Sequence, residues 1–415
     1  MSTGWAVSAS LLALSCVGCG ASTILVQADD AAAVDAPAPP DAAADARRCD
    51  PSVLADAGPA PDVAPPDAPY VVDLSLQILT QCARMSEGTL RCRGANLYGT
   101  LGNGTEEPSY DRAVEVPGLM GIEQVVVNDY SVCARLRDGT VRCWGDNNYH
   151  LLGVGHDGDE TCRFGGACRR RPAAVPGLSD VVHLTSASFV TCAVRRDGSV
   201  WCWGSVGFPV LSTPRPAPTP VRMEGLDDVV WLRAALLDWY VLHRDGRWET
   251  RRGLSDSPTI PRGATLAEGP RNSHVCYRLP DTSVRCFGSN PNGKIGNGAS
   301  SYPERVTEPW DPGLCGVRDL ATGGYHTCAV TADRRVWCWG DASYDSLGVP
   351  ANDRCVGING PSSCVTRPTR IEGLDQVDRV FAGIWGNCAI RLDRTVWCWG
   401  NVAPMREARP TLTAW

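Results

Sequence analysis

Apolar residues along this chain come in short runs broken by glycine, proline and Asp-Gly steps, and few stretches are long enough to show a helical period. The pattern predicts short strands joined by turns. Forty-three Gly, 31 Pro, 14 Trp and 20 Cys in 415 residues reinforce it, because glycine and proline punctuate turns and are poor helix formers. The expected class is all-β.

The strands repeat. Six cysteine pairs share one spacing: Cys82 with Cys92, Cys133 with Cys143, Cys192 with Cys202, Cys276 with Cys286, Cys328 with Cys338 and Cys388 with Cys398, each second cysteine ten residues after the first with a turn between them. A seventh copy, around Asp245-Gly246, carries Tyr240 and Thr250 at the two positions. Seven strand-built units of about 50 residues are the signature of a seven-bladed β-propeller. Hairpin geometry accounts for the spacing. With Arg137-Asp138-Gly139 as a three-residue loop closed by a left-handed glycine, Leu136 faces Thr140 and, counting back, Cys133 faces Cys143. Opposed residues of an antiparallel pair lie about 4.5–5.5 Å apart, within disulfide reach, so the pairs are expected as oxidised rungs across hairpins. Thr282, Arg334 and Arg394 stand where glycine is preferred and must accept left-handed backbone or use another turn.

The N-terminus follows a different logic. Trp5 to Val17 is a 13-residue, mostly apolar run, too short to span a bilayer and the right size for a signal-peptide core. It ends in Cys16-Val17-Gly18-Cys19-Gly20, which resembles a bacterial lipobox, so residues 1–19 are expected as a lipoprotein-type signal with Cys19 as the lipidation site. The n-region lacks Lys and Arg, and Cys16 stands where Leu is usual; an ordinary cleaved signal is the alternative. Between Ala28 and Pro69, 33 of 42 residues are Ala, Asp or Pro, and nine Asp face only Arg47 and Arg48. Such a stretch buries too little apolar surface to fold, so 20–69 is expected as a disordered, extended tether. It carries the whole formal charge of −7 and leaves residues 70–415, the expected propeller, neutral. A neutral body argues against nucleic acid as the main partner. The implied place is a bacterial cell envelope, as an outer-membrane or surface lipoprotein touching the membrane only through its anchor, with periplasmic or secreted as alternatives.

Twenty cysteines are too many for a reducing cytosol unless they bind metal. Zinc ligands would sit two to four residues apart, and the six histidines are scattered, so no metal and no cofactor is expected. Beyond the rungs, Cys162 with Cys168 and Cys355 with Cys364 are local pairs, leaving Cys16, Cys19, Cys49 and Cys315. With Cys19 acylated, Cys16 departs with the signal and Cys49 can pair with Cys315; acylation of Cys16 would strand one thiol.

Around its cysteines the unit runs through stretches such as Gly323-Gly324-Tyr325-His326-Thr327-Cys328-Ala329, Cys143-Trp144-Gly145-Asp146-Asn147 and Asn96-Leu97-Tyr98-Gly99-Thr100-Leu101-Gly102. The ordered set resembles the regulator of chromosome condensation repeat family, whose members are seven-bladed propellers, over roughly 70–415. The fourth unit departs from the pattern, and the last ends without Leu-Gly. The name-giving eukaryotic member is an exchange factor for the GTPase Ran and binds chromatin, but no segment here accepts its contact residues, so the resemblance implies fold and not activity.

Chemistry-bearing motifs are few. The stretch from Gly288 to Lys294 fits the first seven positions of a phosphate-binding loop, but Ile295 stands where a hydroxyl must hold magnesium, and its glycines belong to the repeat. His274 and His326 precede rung cysteines at matching positions, and Trp144, Trp203, Trp339 and Trp399 follow them, which reads as repeat packing rather than catalysis or sugar stacking. Two units carry long insertions at one register, Val154–Arg171 and Val349–Arg367, each clipped by its own cysteine pair. Insertions at one register fall on one face of a repeat array. Their charged residues, Asp157, Asp159, Glu160, Arg163, Arg169, Arg170 and Arg171 in the first and Asn352, Asp353 and Arg354 in the second, are the candidate partner-binding residues. A calcium site at Asp157, Asp159 and Glu160 is the weaker reading of the first loop.

These observations point to a monomeric, non-catalytic module presenting a propeller face and two clipped loops to a protein or glycan. The alternatives are an exported hydrolase or lyase with its site at the channel mouth, and an inhibitor of a secreted enzyme, since a bacterial β-lactamase inhibitor is similar to this family in fold. An exposed aromatic patch between the insertions favours binding. Clustered channel carboxylates with raised pKa values favour the enzyme.

Overall fold

The structure, a computed structural model, describes residues 68–415 apart from 157–158, 164, 188, 206–216, 235–237, 253–257, 268–273, 359 and 403–404. They form seven antiparallel sheets, the blades of a propeller. Blades 1 to 7 cover 71–115, 122–174, 181–222, 229–252, 265–310, 317–370 and 377–412. Blades 1, 3, 5 and 7 have four described strands, blades 2 and 6 have five, and blade 4 has three. The short blade is the unit whose cysteines are replaced, and Tyr240 and Thr250 there still face each other as a rung would.

The hairpin arithmetic holds residue by residue. Cys133 opposes Cys143, the Leu136 N–H donates to the Thr140 carbonyl, and Gly139 is left-handed at φ 78°. The same opposition recurs in the other cysteine-bearing blades: Cys82 faces Cys92, Cys192 faces Cys202, Cys276 faces Cys286, Cys328 faces Cys338 and Cys388 faces Cys398. All six pairs are disulfides, so Cys202, Cys286, Cys338 and Cys398 each close the rung expected of them. Their Cα atoms are 4.0–4.2 Å apart, which corrects the expected 4.5–5.5 Å: the rungs draw the strands closer than a general antiparallel pair. Thr282, Arg334 and Arg394 take the left-handed turn position at φ 69°, 62° and 67°. Cys162 with Cys168 and Cys355 with Cys364 are also bonded. Cys315 is oxidised, while Cys16, Cys19 and Cys49 lie outside the described residues, as do the signal and most of the tether.

The core sits between blades rather than within them. One cluster joins Cys82, Leu90 and Cys92 of blade 1 to Val125, Val132 and Trp144 of blade 2. Trp144, Trp203, Trp339 and Trp399 are all fully buried. The first three indoles donate to the backbone of the preceding blade, at the carbonyls of Thr100, Leu151 and Lys294, 2.9–3.0 Å away. This explains the Leu-Gly step: a Cβ on Gly153 would lie 2.7 Å from the Trp203 ring. The ring closes without a shared sheet. Blade 7 packs on blade 1 through Phe381, Ile390, Val71 and Leu74, and Trp415 seals the seam, its ring under the Arg93 guanidinium at 4.3 Å.

First strands of all seven blades line a central cavity of about 420 Å³. Neighbouring first strands are stitched by side chains. Gln124 grips Leu184 through both backbone groups at 2.8 and 2.9 Å, His183 Nε2 donates to the Leu232 carbonyl at 2.7 Å, and Asp319 accepts the Val380 N–H at 2.7 Å. First and third strands run in the same direction. The turns after first strands and the connections after third strands therefore open on one face, here the upper face, and the Asp-Gly turns open on the lower face.

The second insertion differs from the expected loop. Asp353–Gly357 pairs with Gly360–Arg370, so most of the segment is a hairpin whose return arm continues as the fourth strand of blade 6. The first behaves likewise on a smaller scale, with Glu160–Thr161 pairing the start of Ala167–Ala174. Extending an existing strand gives the inserted backbone its hydrogen-bond partners without a separate core.

Candidate functional site: the two ends of the channel

Both insertions rise on the upper face and lean on the preceding blade in the same way. The Gly104 N–H of blade 1 donates to the Arg170 carbonyl and the Gly298 N–H of blade 5 to the Thr366 carbonyl, each at 2.9 Å. In the first insertion Asp159 accepts from Asn147, His156 and Arg169 at 2.7–2.9 Å. Glu160 pairs with Arg170, which also reaches Glu106 of blade 1 at 3.2 Å, and Glu106 accepts the Arg163 N–H at 2.7 Å. These charges are spent on bracing two blades together. Asp159, already taken by N–H donors, is poorly placed for calcium, and Asp157 lies outside the described residues. Arg163 and Arg171 are exposed. In the second insertion Asp353 accepts the Thr366 N–H and hydroxyl at 3.0 and 2.6 Å, while Asn352 and Arg354 are exposed.

What the bracing leaves outward is apolar. Val356 and Ile358, on the second hairpin, are 50% and 45% exposed, and Tyr302 of the neighbouring blade is 45% exposed. Closer to the channel, aromatic side chains recur at two registers of the repeat. Tyr130, Phe189, Tyr325 and Trp385 each stand three residues before a rung cysteine, on the turn after a first strand. Tyr98, Tyr149 and Tyr344 stand on the connections after third strands. The registers meet across blade boundaries: Tyr98 with Tyr130 at 5.7 Å, Tyr149 with Phe189 at 5.2 Å and Tyr344 with Trp385 at 5.0 Å between ring centroids. Tyr149 and Tyr344 are exposed at 52% and 44%, and the other five are half-buried. Tyr98 and Tyr344 are held left-handed, at φ 59° and 58°, as is Asn292 at the same place in blade 5 at φ 67°, so the conformation belongs to the repeat's turn. Aligning the repeats on their cysteines and reading three places upstream exposes this arc in the sequence, but only the structure shows the two registers facing each other.

At the junction of blades 5 and 6 the ring of Tyr325 meets the ammonium of Lys294 at 5.7 Å instead. Lys294 is fully buried, and burial, with Arg305 adding, pulls its pKa down to about 7. Its carbonyl accepts Trp339 and Thr327, so the segment resembling a phosphate loop is a packed junction. His274 and His326 make equivalent bridges, to the Thr327 hydroxyl at 2.9 Å and the Asn387 side-chain oxygen at 2.7 Å of the next blade. Burial lowers both pKa values and keeps both rings neutral.

Among the described residues, the carboxylates lining the channel are Asp73 and Asp319. Asp73 pairs with Arg379 at 3.0 Å, and Asp319, whose pKa is raised by burial, is held by the Val380 N–H. His183 is pulled down to about 4, first by burial and then by Arg135, against the Leu232 hydrogen bond. Two separately engaged aspartates do not form the paired acid and base that glycoside cleavage needs.

A model of the regulator of chromosome condensation (RCC1) repeat matches residues 122–150 and 317–345, the first three strands and following turn of blades 2 and 6. Blades 2 and 6 carry this repeat, and the chain resembles its family. Among curated relatives, Protein pim1 of Schizosaccharomyces pombe is 24% identical over 354 residues, 74% of this chain and 65% of that protein. The RCC1 domain-containing protein RUG3, mitochondrial, of Arabidopsis thaliana is 29% identical over 319 residues, 66% of this chain and 64% of that protein. The chain spans less than two thirds of the length of these relatives. Among solved structures, Prp20p of Saccharomyces cerevisiae is 18% identical, covering 83% of this chain and 77% of that one at a TM-score of 0.48. In this chain the upper face carries two clipped hairpins that brace neighbouring blades and an arc of aromatics, of which Tyr149 and Tyr344 are exposed.

Proposed function

We propose that the chain is a non-catalytic binding module that docks a protein partner on the upper face of the propeller, held at a bacterial cell envelope by a lipid on Cys19. The observation that carries the reading is the aromatic arc on the same face as the two braced hairpins. Half-exposed Tyr, Phe and Trp on a rigid scaffold supply large contact area at little ordering cost, which is how interface centres are built. Disulfide rungs and clips keep that scaffold rigid before the partner arrives. A glycan partner is the second reading, because the outer rings of Tyr149 and Tyr344 are open to stacking. The enzyme reading has less support, since the channel aspartates are separately engaged.

A photo-crosslinking side chain tests the docking face. Placed at Tyr149 it should trap a protein from the producing cell's envelope, and placed at Val221, an exposed position on an outer strand, it should not. Equal trapping at both positions would remove the assignment of the face. For the anchor, acyl-chain labelling should vanish in Cys19→Ala; labelling that persists would sink it.

A further inference from the structure

The channel departs from its own repeat at two places, and both departures are arginines. In the first strand of blade 6 the register slips between Val317 and Asp319, and the extra residue, Arg318, lines the cavity. The residues at the same slip in blades 1, 2, 3, 4 and 7 are Val72, Glu123, Val182, Val230 and Asp378, and none of them lines it. In blade 5 the first strand is only Thr265–Leu266, and Arg278, opposite Thr265 on the second strand, reaches the cavity past its short cover. Its counterparts Arg84, Arg135, Val194, Leu242, Val330 and Ile390 stay behind longer first strands. Blades 5 and 6 are neighbours, and Thr265 and Asp319 hold equivalent positions at the start of their first strands, so Arg278 and Arg318 both line the cavity toward the lower end of the channel.

Among the described residues no carboxylate lies within ion-pair distance of either arginine. Asp73 is taken by Arg379, and the Asp319 carboxylate accepts the Val380 N–H. Arg233, the remaining cavity arginine, is buried and donates to the Ala267 carbonyl at 2.7 Å. Among the described residues Arg278 and Arg318 make no ion pair, and Arg318 is exposed. The cavity lining is mixed, and its apolar part includes Trp231, which is half-buried, and Phe381, packed under Arg379.

We propose that the lower end of the channel binds a small organic carboxylate, its carboxylate held between Arg278 and Arg318 and its planar apolar body lying along the channel wall. Two guanidinium forks match the planar, bidentate geometry of a carboxylate. A cavity of about 420 Å³ falls within the range of small-molecule sites and is far too small for a folded domain. This site is independent of the docking face: it uses the opposite end of the molecule and none of the aromatic arc.

Calorimetric titration of the full chain with 2-naphthoate, 2-naphthamide and inorganic phosphate tests it. Naphthoate should bind about tenfold or more tightly than its neutral amide, and Arg278→Gln and Arg318→Gln should each weaken it by about tenfold, from loss of a charge-assisted hydrogen bond. Arg318→Lys, which keeps the charge but not the fork, should recover only part of the loss. Near-ultraviolet circular dichroism should match wild type in all three variants, since neither arginine has a structural partner. Three results would overturn the proposal: naphthoate and naphthamide binding alike, binding indifferent to both substitutions, or phosphate displacing naphthoate at equal concentration.

Discussion

Single residues settle how neighbouring blades fit together. Gly153 lies against Trp203 in left-handed backbone at φ 67°, so Gly153→Ala meets both a clash and a strained φ. We expect it to lower unfolding stability by about 2–4 kcal/mol in urea titrations, whereas a loss below about 0.5 kcal/mol would show that the indole yields freely. His183 makes the fold acid-sensitive. Its folded pKa of about 4 lies below the ordinary 6.5, so on acidification the unfolded chain takes up the proton first. Its contribution is complete above pH 6.5 and is lost as pH falls through that window to about 4, on the order of 3 kcal/mol for this ring. His274 and His326, held neutral by burial, add slope in the same direction. His183→Gln should flatten the fall of melting temperature between pH 6.5 and 4; an unchanged slope would place the acid sensitivity elsewhere.

At the scale of the hairpin, the ten-residue cysteine spacing was readable because a three-residue loop fixes register, and register fixes which side chains oppose. Replacing both Cys133 and Cys143 by Ser should cost about 2–3 kcal/mol, as expected for closing an 11-residue loop in the unfolded chain, without changing the sheet. The insertions were legible only as insertions. Their charges read as a docking loop, but Glu106, far away in sequence, takes the Arg170 guanidinium and the backbone N–H of Arg163 and so makes the loop a brace. Glu106→Ala should therefore raise hydrogen exchange in residues 160–170 while global stability changes by less than about 1 kcal/mol. Unchanged exchange there would show that the Gly104 contact alone holds the hairpin. Arg278 and Arg318 were not legible at all, because reaching the cavity depends on a two-residue strand and a register slip that no spacing announces.

For the molecule as a whole, segregation of charge is the organising feature. The N-terminal Asp-rich stretch holds the net charge and the propeller is balanced, with ion pairs such as Arg170 to Glu106 and Arg379 to Asp73 linking neighbouring blades. Recognition on a balanced body rests on shape and apolar contact, which is what the upper face offers. The most direct test of that claim is the affinity of the crosslinked partner, once purified, for wild type and for a Tyr149→Ser, Tyr344→Ser double variant, with Trp310→Ser on an outer strand as control. Weakening by about tenfold or more in the double variant, with the control unchanged, is the expected result. Equal affinity of all three chains would contradict the account.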